Sequence, residues 1–170
     1  MIRRLALVAQ LASIVGMWIL SSQVWASANI TETNKPVQVS GLEAYPQLSI
    51  TLVVWLLICF VSGYAKSLFP RFILSAISIF TVSIQAPVWF ESASGSLAVL
   101  GTSVAKITGV SDWEAQQNLI DAGFYNHFAA DLFVILLIIC FIATITRIWA
   151  RTSAAKSTPL TTRIDDLPNW

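Results

Sequence analysis

Four stretches of the chain are almost continuously apolar, and polar segments separate them. They run from Leu5 to Trp25, Pro46 to Tyr64, Phe72 to Trp89 and Ala129 to Ile148. A helix that crosses a bilayer needs about 20 such residues. The pattern therefore predicts an all-α integral membrane protein, a bundle of four transmembrane helices. The fourth span is the purest. Leu132 to Ile142 reads LFVILLIICFI, with ten of eleven positions Leu, Ile, Val or Phe. At about −0.3 to −0.6 kcal/mol per central residue, that run inserts unaided. Ser75, Ser78, Thr81, Ser83 and Gln85 dilute the third span. It is expected to enter the bilayer paired with the second, through the short loop Ala65 to Phe69.

Punctuation agrees with these limits. Pro46 and Pro70 stand where the second and third helices should begin, and proline suits a first turn. Pro87 is placed to kink the end of the third. Trp25, Trp89 and Trp149 fall at expected bilayer edges, where an amphipathic ring prefers to sit.

The polar segments predict a small external cap of short helices. In the first loop, Ala26 to Tyr45, Val37-Gln38-Val39-Ser40 alternates as a short strand does and Gly41 ends it. Asn29-Ile30-Thr31 matches a glycosylation sequon. The second loop, Phe90 to Phe128, is too long to be without structure of its own. Leu97, Leu100, Val104 and Ile107 recur at helical spacing. Ser111 and Glu114 have the spacing of a capping box, which would open a helix over Asp112 to Ala122 closed by Gly123. Trp113 on that helix is a candidate partner contact, turned to the bilayer or the bundle top. The tail, 151–170, is rich in Ser, Thr and Pro and reads as flexible.

Charge orients the bundle. Of ten basic residues, eight (Arg3, Arg4, Lys66, Arg71, Arg147, Arg151, Lys156 and Arg163) flank one side and only Lys35 and Lys106 the other. The positive-inside rule puts both termini and the short loop in the cytoplasm, and the multi-pass chain in the plasma membrane. Arg3-Arg4, an apolar stretch and Val24-Trp25-Ala26 also resemble a cleavable signal peptide. The stretch Leu5 to Leu20 is slightly longer than a signal core, which favours an uncleaved anchor.

Composition narrows the chemistry. The chain has 56% hydrophobic and 11% charged residues, where soluble domains carry about 25% charged. That excludes an ordinary soluble core and is a poor fit to nucleic-acid binding. Two Cys and one His do not make a metal centre on their own, and no cofactor motif is present. No ionisable residue lies mid-span, which argues against a proton-coupled path. His127 and Asp131, four apart on one helix face, are a candidate pair for a relay or half a metal site. The plainer reading has Asp131 favouring the positive helix N-terminus. Cys59 and Cys140 read as small buried hydrophobes. Two stripes predict close helix packing: Ala9, Ala12, Ser13 and Gly16 on the first helix, and Ser75, Ser78 and Gln85 on the third. Gln10 and Gln85 are the candidates for a polar ligand groove.

Val37-Gln38-Val39-Ser40-Gly41, Pro46 opening the next helix and a first helix ending at Trp25 together resemble the actinobacterial membrane proteins associated with the tryptophan operon. That family is similar in size and in having four spans. Ile148, Trp149 and Arg151 match its basic tail only loosely, and the chain has fewer Ala and Gly. The resemblance implies no activity. The expected function is therefore non-enzymatic, an accessory or scaffold subunit acting through helix packing and its external loop. Its partners would be the lipid bilayer and other membrane subunits. The alternative is a small transporter or export component for an apolar or aromatic solute.

Overall fold

A computed structural model describes residues 2–31, 35–65, 67–94 and 97–156. Its long helices are α1 (Ile2–Ser21), α3 (Gln47–Val61), α4 (Leu68–Ser83) and α8 (His127–Lys156). Among the described residues, three segments are long and apolar enough to cross a membrane: Ile2–Ser21, Leu68–Phe90 and His127–Ala150. The second expected span is a shorter apolar helix of 15 residues, α3. At about 1.5 Å rise per residue it is roughly 22 Å long.

The bundle is turned inside out relative to a soluble protein. Val8, Phe60, Phe80 and Phe69 point outward, while Gln10, Ser78, Gln85 and Thr144 are fully buried. Such an exterior suits lipid, and such an interior forces the polar groups to find one another. α1 and α8 form the principal helix pair. They run antiparallel, Gln10 lying beside Thr144 and Gly16 beside Leu136. Of the small stripe on α1, Ser13 is buried and Ala12 faces outward.

The third span is one helical path with a break. α4 ends at Ser83, one irregular turn covers Ile84 and Gln85, and α5 (Ala86–Ser94) continues. Pro87 lacks an N–H and cannot bond the Ser83 carbonyl. The Gln85 N–H tightens to the Val82 carbonyl at 3.0 Å instead.

Strands correct the all-α expectation. β1 (Val24–Ile30), β2 (Lys35–Ser40) and β3 (Ile120–Tyr125) form an antiparallel sheet in the order β2-β1-β3. Ala28 faces Val37 on one side and Gly123 on the other. The alternation at Val37 and Val39 is correctly a strand, with both side chains buried, but its partner β1 begins inside the first apolar stretch. Trp25 is thus no bilayer-edge anchor. It is fully buried in β1, and its indole donates to the Leu20 carbonyl at 2.8 Å.

The cap's helices differ from expectation too. Leu97–Leu100 forms a 3₁₀ turn that leads into α6 (Gly101–Thr108), so the Leu97, Leu100 and Val104 spacing is helical and packs against the sheet. The helix expected over Asp112 to Ala122 is only α7, Trp113–Gln117. Asp112, not Ser111, is its N-cap, and no side chain caps it. Gly123 sits within β3 rather than closing a helix. A real capping box lies elsewhere, at α2 (Gly41–Ala44), where Ser40 and Glu43 bond reciprocally. At the other end α8 stays helical to Lys156, so 151–156 of the expected flexible tail is helix, and 157–170 lies outside the described residues.

Candidate functional site

α1 and α8 feed directly into the sheet, which fixes the cap on the bundle. Asn126 joins β3 to α8: its N–H donates to the Trp25 carbonyl at 2.7 Å, and its side-chain oxygen accepts from the Ala129 N–H at 3.2 Å. The second bond satisfies one of the orphan donors of the first helical turn. Trp25 then packs against Phe133 of α8 and Tyr45, with ring centroids 5.8 Å apart in each case. The cap is therefore continuous with the bundle core.

The opposite end holds a polar junction between α1, α3 and α8. The Gln10 amide nitrogen donates to Thr144 Oγ1 at 2.8 Å. Arg147 Nη1 donates to Gln10 Oε1 at 3.2 Å, to the Cys59 carbonyl at 2.8 Å and to Cys59 Sγ at 3.4 Å. The Cys59 carbonyl lies in the last turn of α3, where carbonyls lose their intrahelical partners. The Ser62 hydroxyl donates to it as well, at 3.0 Å. A cation there also opposes the negative end of the helix dipole. Arg147 was expected to flank the fourth span. Its head instead turns into the bundle, so an ionisable group does lie among the helices.

A second polar contact lies nearer the cap. Gln85, in the α4–α5 break, donates from its amide to Thr51 Oγ1 of α3. Thr51 donates onward to the Gln47 carbonyl at 2.9 Å. Gln85 Oε1 and the indole nitrogen of the fully buried Trp55 have no hydrogen-bond partner among the described residues. Buried polar groups are ordinarily satisfied, so an acceptor and a donor left over on facing helices mark this region.

The sequence candidates thus separate. Gln10 and Gln85 are both fully buried, but they belong to different junctions rather than to one groove. Ser78 and Thr81 face inward and bond their own helix carbonyls at 2.7 Å. Ser75 instead helps line an apolar groove between α4 and α8. Trp113 is half-buried in the cap beside Gly101 of α6. His127 and Asp131 are exposed in the first turns of α8, and the His127 ring meets Tyr125 edge-on at 5.0 Å. Among the described residues no group of three metal-ligating side chains gathers. Cys59 and Cys140 are both buried and free.

The residue that sequence reasoning missed is Arg147. Its signal was positional: it lies on the same α8 face as Thr144 and Cys140, at helical spacing. In comparison with known proteins, no family model, no curated protein and no solved structure matches this chain.

Proposed function

We propose that this protein is a non-enzymatic accessory or scaffold subunit of a membrane assembly, and that its external cap is the part that meets the partner. The carrying observation is the splice between cap and bundle, in which α1 enters β1 and β3 enters α8, with Trp25 locked on Phe133. A sheet held this rigidly on a membrane anchor presents a fixed surface rather than a tethered loop. β3 forms one edge of that sheet and carries Phe124, which is 63% exposed.

In this reading α3 is the fourth span. Helical turns extend it at both ends, from the Tyr45 carbonyl, which accepts from the Leu48 N–H, to the Tyr64 N–H, which donates to Val61. That path is about 20 residues, long enough to cross. Both termini are cytoplasmic, from the basic asymmetry, and the membrane is the plasma membrane. Kinship with the tryptophan-operon-associated family rests on layout and the Val37 to Gly41 stretch alone.

Mild-detergent purification of the full chain with mass spectrometry tests the reading. A stoichiometric membrane partner that is lost in Phe124→Asp supports it. The second reading, export of an apolar or aromatic solute, draws on the unsatisfied Gln85 and Trp55 groups beside a broken helix. A protein purified alone whose melting rises with added aromatic solute would favour that reading.

A further inference from the structure

The polar junction holds a charge that the described protein does not neutralise. Arg147 lies 20 positions after His127, and about 1.5 Å per residue puts it roughly 30 Å along α8, one bilayer thickness from the cap. Its three acceptors, Gln10 Oε1 and the carbonyl and sulfur of Cys59, are all neutral. Among the described residues, no Asp or Glu occurs on α1, α3, α4 or α8 beyond Asp131, which lies at the cap end. Arg3 and Arg4 stand exposed in the first turn of α1, and Arg71 is buried in the first turn of α4. Among the described residues of the long helices, this end of the bundle therefore carries basic side chains and no acidic ones.

The guanidinium is also only partly used. It carries five N–H donors in a rigid fork, and Nη1 contributes two of them. The bonds to Gln10 and Cys59 all leave from Nη1 and hold the head in place. The Nη2 side faces Gly63, where even a Cβ would stand 3.5 Å from Nη2. Among the described residues Nη2 and Nε take no hydrogen-bond partner, and neither is fully buried. A planar fork matches a phosphate through two parallel hydrogen bonds, and basic pockets between helices on the cytoplasmic side suit anionic headgroups. Along the same end, an apolar groove of about 350 Å³ runs between Ile2, Leu5 and Ala9 of α1 and Ile139, Ile142 and Thr146 of α8.

We infer that Arg147 binds a phosphate group through its Nη2 and Nε edge, and that an anionic phospholipid of the cytoplasmic leaflet supplies it. The inference does not depend on the role of the cap.

Native mass spectrometry of the full chain in neutral detergent, with equal phosphatidylglycerol and phosphatidylcholine added, tests it. One charge-assisted bidentate contact should give about a tenfold preference for the anionic lipid. Arg147→Gln should abolish the preference. Gly63→Leu should also abolish it, by crowding the fork while leaving Gln10 and Cys59 in place. If Arg147→Gln does not fold, Gly63→Leu alone decides. A folded variant of either kind that keeps the wild-type preference overturns the inference, as does a wild-type protein that does not distinguish the lipids. Inorganic phosphate separates the sources. If it raises the melting temperature as the anionic lipid does and displaces it, the site takes free phosphate and the lipid assignment falls. If it does neither while the preference holds, the lipid assignment stands.

Discussion

The amide of Gln10 donates to the hydroxyl of Thr144 at 2.8 Å, joining helices 134 positions apart in the chain. Because Gln10 Oε1 accepts from Arg147 at 3.2 Å, both ends of one amide are used in an interior that offers few alternatives. Interhelical hydrogen bonds in membranes average about 0.6 kcal/mol and reach about 1.7, since the unfolded chain also finds partners.

The two partners should therefore respond unequally. Thr144→Val removes one neutral bond and is expected to cost about 0.6 kcal/mol. Gln10→Leu also deprives a guanidinium of an acceptor, and bonds to charged groups are worth about 1.5–3 kcal/mol. It should be the more damaging by a factor of two or more. Reversible unfolding in mixed micelles measures both. A double-mutant cycle with no coupling between the positions would show that the bond does not hold the helices together.

The Ser40–Glu43 capping box predicts an acid-sensitive corner. The Ser40 N–H donates to Glu43 Oε2 at 2.9 Å and the Ser40 hydroxyl donates to the same oxygen at 3.1 Å. These bonds hold the Glu43 carboxyl below its usual range, with a smaller help from Lys106. A lowered folded-state pKa stabilises above the unfolded value and loses that stabilisation as pH falls through the folded one. Protection from hydrogen exchange over Gly41 to Tyr45, taken relative to the intrinsic rate at each pH, should thus be flat from neutral pH down to the ordinary carboxylate range, then fall below it. Ser40→Ala should loosen the corner at neutral pH, costing about 0.5–2 kcal/mol, but only shrink the acid transition, because the Ser40 backbone N–H still donates to the carboxylate; Glu43→Gln should remove the transition. An unchanged transition in that variant would exclude the box as its source.

Three of the four expected spans were legible because a bilayer imposes a length and a composition that local sequence must meet. The sheet was half legible. Val37 and Val39 alternate between polar neighbours, so β2 could be read locally. β1 could not: Trp25, Ala26 and Ala28 follow an apolar helix with only Ser22 and Gln23 between, and small alanines give a weak alternation. Its place is set by pairing with β2 and with a strand about 90 residues away, a nonlocal choice that propensity does not carry. β3 was hidden because Gly123 in sequence resembles a helix stop. In the polar junction, Gln10 was visible as a polar residue in an apolar run. Arg147 counted as a flanking charge, and the inward turn of its side chain depends on acceptors supplied by two other helices.

The first helix should remain in the mature protein. Cleavage after Ala26 would delete α1, the chief neighbour of α8, and would remove Trp25 from a sheet it helps to bury. The intact mass of purified protein decides this. A mature start at Ser27 would mean that the bundle stands without α1 and that the Gln10 junction has no role in it.

Two glycines in the cap offer a test of which contacts are rigid. A Cβ at Gly123 would come within 2.3 Å of Leu97 Cδ1, and one at Gly41 within 2.6 Å of Trp25 Cε2. By distance alone Gly123→Ala is the worse clash. The neighbours reverse the order. Leu97 is only half-buried and meets the new methyl with the end of a flexible side chain, so a change of rotamer relieves it. Trp25 has no such freedom. Its ring is fully buried, bonded through its indole to Leu20 and wedged between Tyr45 and Phe133. Moving it disturbs the splice between the cap and α8. Overpacking of a tight core costs about 1–3 kcal/mol. Gly41→Ala is expected near the upper end of that range and Gly123→Ala near or below the lower, both by thermal melting in detergent. Leu97→Ala should rescue Gly123→Ala. No single truncation should rescue Gly41→Ala without a loss of its own, because Trp25 is itself part of the core. If Gly123→Ala proves the more destabilising, Leu97 is held as firmly as Trp25, and the cap is rigid across the whole sheet rather than at its junction with the bundle.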